Sequence, residues 1–226
     1  MDHYEHRLDY QNHLALKIAD QTSALEMRLN RSLDEIKRVS FDALATLHGL
    51  KNPLPAPFAL RASAKVAIDS NDHMFPRGTA SDNTRHPRFV ARCEELYPDE
   101  LTALDLGCAG GGLVYDFVSR GHRALGLEGS DFSKRDQRAC WRILPDHLKT
   151  CDITQEFIIS DNREQATFQF KIICAWEVLE HIPEIKISGL LDNVQRHLAP
   201  DGYFIASIAQ FEDADPESGI TWHLTL

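Results

Sequence analysis

The sequence predicts an α/β fold, a doubly wound and mostly parallel sheet that follows a long N-terminal helix. Three observations predict it. Strand-like apolar runs alternate with helical patterns between about residues 100 and 210. The first of these runs ends on an acidic residue and turns through glycines into a helix, Ala103-Leu-Asp-Leu-Gly-Cys-Ala-Gly-Gly-Gly-Leu-Val114. Residues 1–50 hold no proline, and no glycine before Gly49. Repeated strand-helix units favour parallel strands joined by right-handed crossovers, and 226 residues suffice for one such domain with a helical appendage.

Through residues 1–50 a heptad frame places Leu8, Ala15, Thr22, Leu29, Ile36 and Ala43 at a, and Gln11, Ile18, Leu25, Ser32, Val39 and Thr46 at d. That seam is half apolar, which fits either an amphipathic helix packed on its own domain or a coiled coil that makes a homo-oligomer. Lys51-Asn-Pro-Leu-Pro-Ala-Pro-Phe58 stops the helix with three prolines and reads as a stiff connector over 51–60. The second domain, 61–226, opens with polar turns up to residue 85. His86-Pro87 then starts a helix whose apolar face is Phe89, Val90, Cys93 and Leu96. Strands are expected at 101–106, 123–127, 148–151, 170–175 and 203–209. Helices are expected at 113–120 and 133–144, and where Ile187, Leu190, Leu191, Val194 and Leu198 recur at helical spacing.

The balance of 24 basic against 34 acidic residues, a formal charge of −10, argues against nucleic acid as a partner and for a small acceptor. Five scattered cysteines without CxxC pairing predict reduced thiols in a cytoplasmic setting. No run approaches the roughly 18 apolar residues of a membrane span.

The glycine turn carries the chemistry. Its glycines let backbone approach a ligand and leave the following helix N-terminus open. The spacing Gly107-x-Ala109-x-x-Gly112 also passes for a dinucleotide fingerprint, so the turn does not name its ligand. Glu128 ends the next strand about 20 residues on, where a carboxylate accepts from ribose hydroxyls. Asp152 ends the third strand, suited to an adenine amino group, with Ile153 beside a ring face. The fourth strand leads into Trp176-Glu-Val-Leu-Glu-His181.

Over residues 100–210 this set resembles the class I S-adenosylmethionine-dependent methyltransferases of "EVLEH" type, with a Rossmann-like fold. The family's D-x-G-x-G-x-G pattern falls on Asp105, Gly107, Ala109 and Gly111, alanine standing at the middle glycine. The resemblance implies that Gly107, Ala109 and Gly111 lie along the methionine and ribose of the cofactor. Asp105 would order the loop or meet the methionine amine, Glu128 bind ribose, Asp152 and Ile153 flank adenine, and Trp176 border the sulfonium. S-adenosylhomocysteine is then the product. The family fold normally adds a helix and a two-stranded hairpin after the fifth strand, and with some 18 residues left these C-terminal strands are expected to be missing.

Glu177-x-x-Glu180-His181 admits several roles. On a helix all three would share a face. His181 is the candidate general base, with Glu177 as second candidate catalytic residue. Glu177, Glu180, His181 and His223 are alternatively candidate ligands of a divalent cation such as magnesium, an arrangement similar to that of metal-using relatives. A loop-ordering role is the third reading. Asp82-Asn-Thr-Arg85 is expected to cover the cofactor, to grip an acidic substrate through Arg85, or to be a plain turn. The expected function is methyl transfer to an oxygen of a small-molecule or glycan acceptor. The alternatives are a non-catalytic cofactor-binding or assembly protein, and a nicotinamide-dependent oxidoreductase.

Overall fold

The computed structural model describes residues 58–161 and 166–225, together with eight residues between 17 and 36. The chain divides into two compact units, Met1–Leu44 and Ala45–Leu226. In the first, the described residues are helical and exposed, among them Leu25, Leu29 and Ile36 of the heptad seam. The rest of the expected N-terminal helix, its coiled coil and most of the connector lie outside the described residues. No helix among the described residues is long and apolar enough to cross a membrane.

The described part of the second unit starts with a strand where the last part of the connector was expected. Phe58–Ala62 (β1) pairs antiparallel with Phe157–Asp161 (β5), Phe58 opposite Asp161 and Ala62 opposite Phe157. This ribbon gave no sequence signal, because its two halves lie about a hundred residues apart. Two short helices follow, Asn71–Met74 (α1) and Gly78–Ser81 (α2), then Pro87–Leu96 (α3), which opens on its proline as expected.

The main sheet has the order β4-β3-β2-β6-β7, every pair parallel. Its strands are Thr102–Leu106 (β2), Arg123–Glu128 (β3), Leu148–Thr150 (β4), Phe170–Trp176 (β6) and Leu198–Ser207 (β7). The chain runs outward from β2 to β4 and then crosses to β6, so the sheet reverses direction of growth beside β2. Ligands of such sheets sit at that switch point, beyond the carboxyl ends of the strands. The expectation of a doubly wound parallel sheet therefore holds. Among the described residues the sheet stops at β7.

Burial on both faces accounts for the continuous apolar runs, since parallel strands are covered on each side. Leu104, Leu106, Leu125, Leu127, Ile173 and Ala175 form one core cluster with Leu190 and Val194 of the helix Glu184–His197 (α6), and with Phe58, Phe157 and Ile159 of the ribbon. On the other side Gly112–Ser119 (α4) packs against β2 and β3, with α3 outside it. Arg123 ties ribbon to sheet: it bonds Asp161 at 2.7 Å and lies over the rings of Phe58 and Phe168.

Two elements differ from expectation. The helix expected over 133–144 is split into Phe132–Arg135 (α5) and a 3-10 turn, Ala139–Arg142, because Gln137 and Ala139 adopt left-handed backbone. The break turns Trp141 back to donate to the carbonyl of Ala109 at 2.8 Å, so helical continuity is given up for a hold on the glycine loop. The last strand begins directly after α6, at Leu198 rather than 203, with the expected turn at 199–202 taken up as an irregularity in register between Phe170 and Ile172.

His197 closes α6 onto the ribbon. One ring nitrogen accepts from the amide of Ile159 at 3.0 Å, the other faces the carbonyl of Asn193 at 2.8 Å, and the ring stacks on Phe157. The ring must be neutral to accept, and burial holds its pKa below the ordinary 6.5. The unfolded chain therefore takes the proton first, and stability falls as pH drops below 6.5. We expect His197→Ala to lose about 2–4 kcal/mol in urea unfolding at neutral pH, and to lose less further stability than the parent as the pH is lowered.

Candidate active site

The glycine loop leaves β2 in left-handed backbone at Gly107 (φ 74°), Ala109 (φ 43°) and Gly111 (φ 83°). Close approach also calls for glycine along this loop. A Cβ on Gly107 would meet Val178 at 2.5 Å, and one on Gly112 would meet the Thr84 carbonyl at 2.4 Å. The segment 82–84 thus presses directly on the loop, with the amide of Gly110 donating to Asp82 at 3.2 Å.

Glu128 holds this arrangement. Its Oε2 accepts from the amide of Ala109 at 2.7 Å, and its Oε1 from Ser130 at 3.0 Å and from the Thr79 hydroxyl at 3.4 Å. Burial raises its pKa, opposed by those same hydrogen bonds. Asp152 likewise accepts from the amide and hydroxyl of Thr154 at 3.0 and 2.7 Å. Trp176, at the end of β6, stacks on His86 and meets Phe89 edge-on.

These groups enclose a cavity of about 470 Å³. Of the expected cofactor residues, Gly107, Ala109, Glu128, Asp152, Ile153 and Trp176 line it. Asp105 and Gly111 do not. Gly111 packs against Leu148 and Cys140, and Asp105 lies behind the loop. Burial, then Glu128 and Asp82, push the Asp105 carboxyl up to about 8.

Of the expected catalytic and metal residues, Glu180, His181 and His223 converge, with donor atoms within 4.8 Å of one another. Glu177 stands apart from them. Its backbone is left-handed (φ 52°), its amide bonds Ser207, and its exposed side chain reaches the cavity wall. The chain from 179 to 181 is a 3-10 turn rather than the helix that would have aligned all three side chains. Glu180 is fully buried and pins the C-terminal segment. Its Oε1 accepts from Ala209 at 2.8 Å, and its carbonyl from Leu224 and Thr225. His181 Nδ1 lies 2.8 Å from Asp72 Oδ2. Burial alone would lower this imidazole, but Asp72, Glu180 and the Trp222 carbonyl outweigh it and hold it above the ordinary 6.5.

Arg85 does not line the cavity. It bonds Asp116 at 2.7 Å and lies over Tyr115, while the amide of His86 donates to the same carboxylate. The segment 82–86 is thereby fastened to α4.

A family model described as a methyltransferase domain matches residues 79–226. The chain belongs to that methyltransferase domain family. No curated protein gives a significant match. Solved structures that resemble the domain are distant. CalS10, an amino pentose methyltransferase from Micromonospora echinaspora, is 17% identical with a TM-score of 0.42, over 67% of this chain and 55% of that one. KedS8, a sugar N-methyltransferase from Streptoalloteichus, is 17% identical with a TM-score of 0.44, over 69% and 60%. DesVI from Streptomyces venezuelae is 17% identical with a TM-score of 0.43, over 65% and 61%. The chain spans 55% to 61% of the length of these three.

The methyltransferase domain match begins inside α2, so β1 and α1 lie upstream of it. Two contributors to the cavity that sequence reasoning missed, Asp72 and Thr79, come from this stretch or its edge. The only local signal was Ser70-Asn-Asp72, a helix cap in which Ser70 accepts from the Asp72 amide at 3.2 Å.

Asp105 carries a testable cost. Its folded pKa of about 8 exceeds the ordinary 3.8, so between these values the folded state binds more protons and stability falls as pH rises. We expect Asp105→Asn to melt above the parent at neutral pH, with the difference shrinking toward pH 4 in a series of melts.

Proposed function

We propose that the chain transfers a methyl group from S-adenosylmethionine to an oxygen of a small-molecule or glycan acceptor. The observation that carries the reading is the cavity in which Glu128, held against the left-handed glycine loop, is joined by Asp152, Ile153 and Trp176. The residues fit the cofactor. The cavity wall holds six carboxylates, from Asp69, Asp72, Asp82, Glu128, Asp152 and Glu177, against one ammonium, Lys186, which suits a cationic donor. Both oxygens of Glu128 are already anchored, so its remaining lone pairs are held ready for ribose hydroxyls. Asp152, tied down by Thr154, would take the adenine amino group beside Ile153.

When bound, S-adenosylmethionine supplies an electrophilic methyl group. The chain's part is to hold an acceptor oxygen in line with it, which is the larger share of such catalysis. His181, in the cavity wall, would remove the acceptor's proton. Glu177 at the rim would orient the acceptor. The convergence of Glu180, His181 and His223 favours a second reading, in which they hold a divalent cation. Glu180 Oε2 is buried without a hydrogen-bond partner, as a ligand awaiting a cation would be.

Titration calorimetry with S-adenosylhomocysteine, S-adenosylmethionine and NAD tests the cofactor. We expect the first two to bind, and Glu128→Gln to weaken them at least about tenfold; binding of NAD alone would sink the proposal. Labelled methyl transfer to the low-molecular-weight fraction of a cell extract tests the reaction. If a cation takes part, excess chelator abolishes transfer, whereas unchanged transfer removes the metal reading.

A further inference from the structure

We infer that Asp72 is a positioning residue for His181, holding the imidazole with its proton on Nδ1 and its basic lone pair on Nε2. This rests on His181 acting as the base of the proposed transfer. The two side chains are 2.8 Å apart, a charge-assisted hydrogen-bond distance, and both line the cavity. Nδ1 is closed off from solvent, with the Asp72 carboxylate beside it, and the Trp222 carbonyl also lies against the ring. The carboxylate itself lies off the N–H direction.

The placement of Asp72 does not depend on His181. Ser70 caps the start of α1 through the amide of Asp72. Asn71 donates to the Thr221 carbonyl at 2.5 Å, and Trp222 Nε1 to the Phe75 carbonyl at 3.1 Å, so α1 is clasped to the C-terminal segment on both sides of Asp72. That segment is in turn fixed on the Glu180 carbonyl, next to His181 in the chain. The carboxylate is therefore delivered by a preset frame, as an orienting group must be. The same stretch reaches Glu128 through Thr79, so the segment that orients the base also closes over the ribose end of the cavity. Asp72 lies upstream of residue 79, where the family match begins.

Asp72→Asn separates orientation from bulk. The amide keeps the size of the side chain but presents a donor, and an amide in place of an orienting carboxylate selects the wrong histidine tautomer. Long-range 1H–15N spectra of the histidine side chains, recorded above the ring's titration, read the tautomer directly, with His181 identified by the signal missing in His181→Gln. We expect the Nδ1–H form in the parent and the Nε2–H form in Asp72→Asn. Asp72→Glu, which keeps a carboxylate within reach, is expected to retain the Nδ1–H form. Labelled methyl transfer should fall about 100-fold in Asp72→Asn while S-adenosylhomocysteine affinity stays within about threefold. An Nε2–H form in the parent, the same tautomer in parent and Asp72→Asn, or transfer at the parental rate would overturn the inference. Failure of S-adenosylhomocysteine to bind the parent would instead remove the cofactor reading, and the tautomer result would still be read.

Discussion

Glu128 receives hydrogen bonds from three parts of the chain at once: Ala109 in the glycine loop, Ser130 in the exit from β3, and Thr79 in the segment that closes the cavity. A buried carboxylate is tolerable only when its oxygens are engaged, because a desolvated charge is costly and an unpaired one more so. The requirement works in both directions. Glu128 forces the Ala109 amide to point inward, which fixes the left-handed turn at a non-glycine residue, and the turn in turn gives the carboxylate its partners. Trp141 bonds the carbonyl of Ala109 from the other side. With the N–H and the C=O of Ala109 both held, the peptide planes on either side of it are fixed and the loop has little freedom left.

The rest of the site is arranged around that hub. The segment 82–84 crosses the loop so closely that glycine is needed at 112, and Arg85 with Asp116 clamps it to α4. The C-terminal segment is drawn in by Glu180 and meets α1 through Asn71 and Trp222. Arg77 adds an ion pair to Asp213 at 2.5 Å and lies over the Trp222 ring. Cover and tail thus brace each other over the cavity. Burial, and after it the neighbouring carboxylates of Glu128 and Asp82, has an energetic cost, visible in the raised carboxyl of Asp105. Sites built to bind charge are commonly less stable than they need be for folding alone.

Legibility in the sequence followed the range of the interactions. The β2 turn and the β3 end at Glu128 were readable because strand, loop and helix are contiguous and their apolar periods differ. Asp152 and Trp176 were readable by the same rule, one just beyond a strand and the other ending one, at the edge where ligands bind. The pattern over 133–144 is helical locally, while the hold of Trp141 on Ala109 is a tertiary demand that overrides it. Glu177 was grouped with Glu180 and His181 on helical spacing, and a left-handed residue at 177 removes it from the group.

The amino-acid sequence by itself determined the strand-helix alternation, the glycine loop and the carboxylates that face the cavity from strand ends, because each depends on periodicity or on neighbours a few residues away. Only the tertiary structure decided the pairing of β1 with β5, that Glu180 and His181 meet His223 while Glu177 does not, and the contact of Asp72 with His181. Those join segments tens to more than a hundred residues apart. Their geometry is set by how the sheet, the cover and the tail pack, and no local pattern of residue types encodes it.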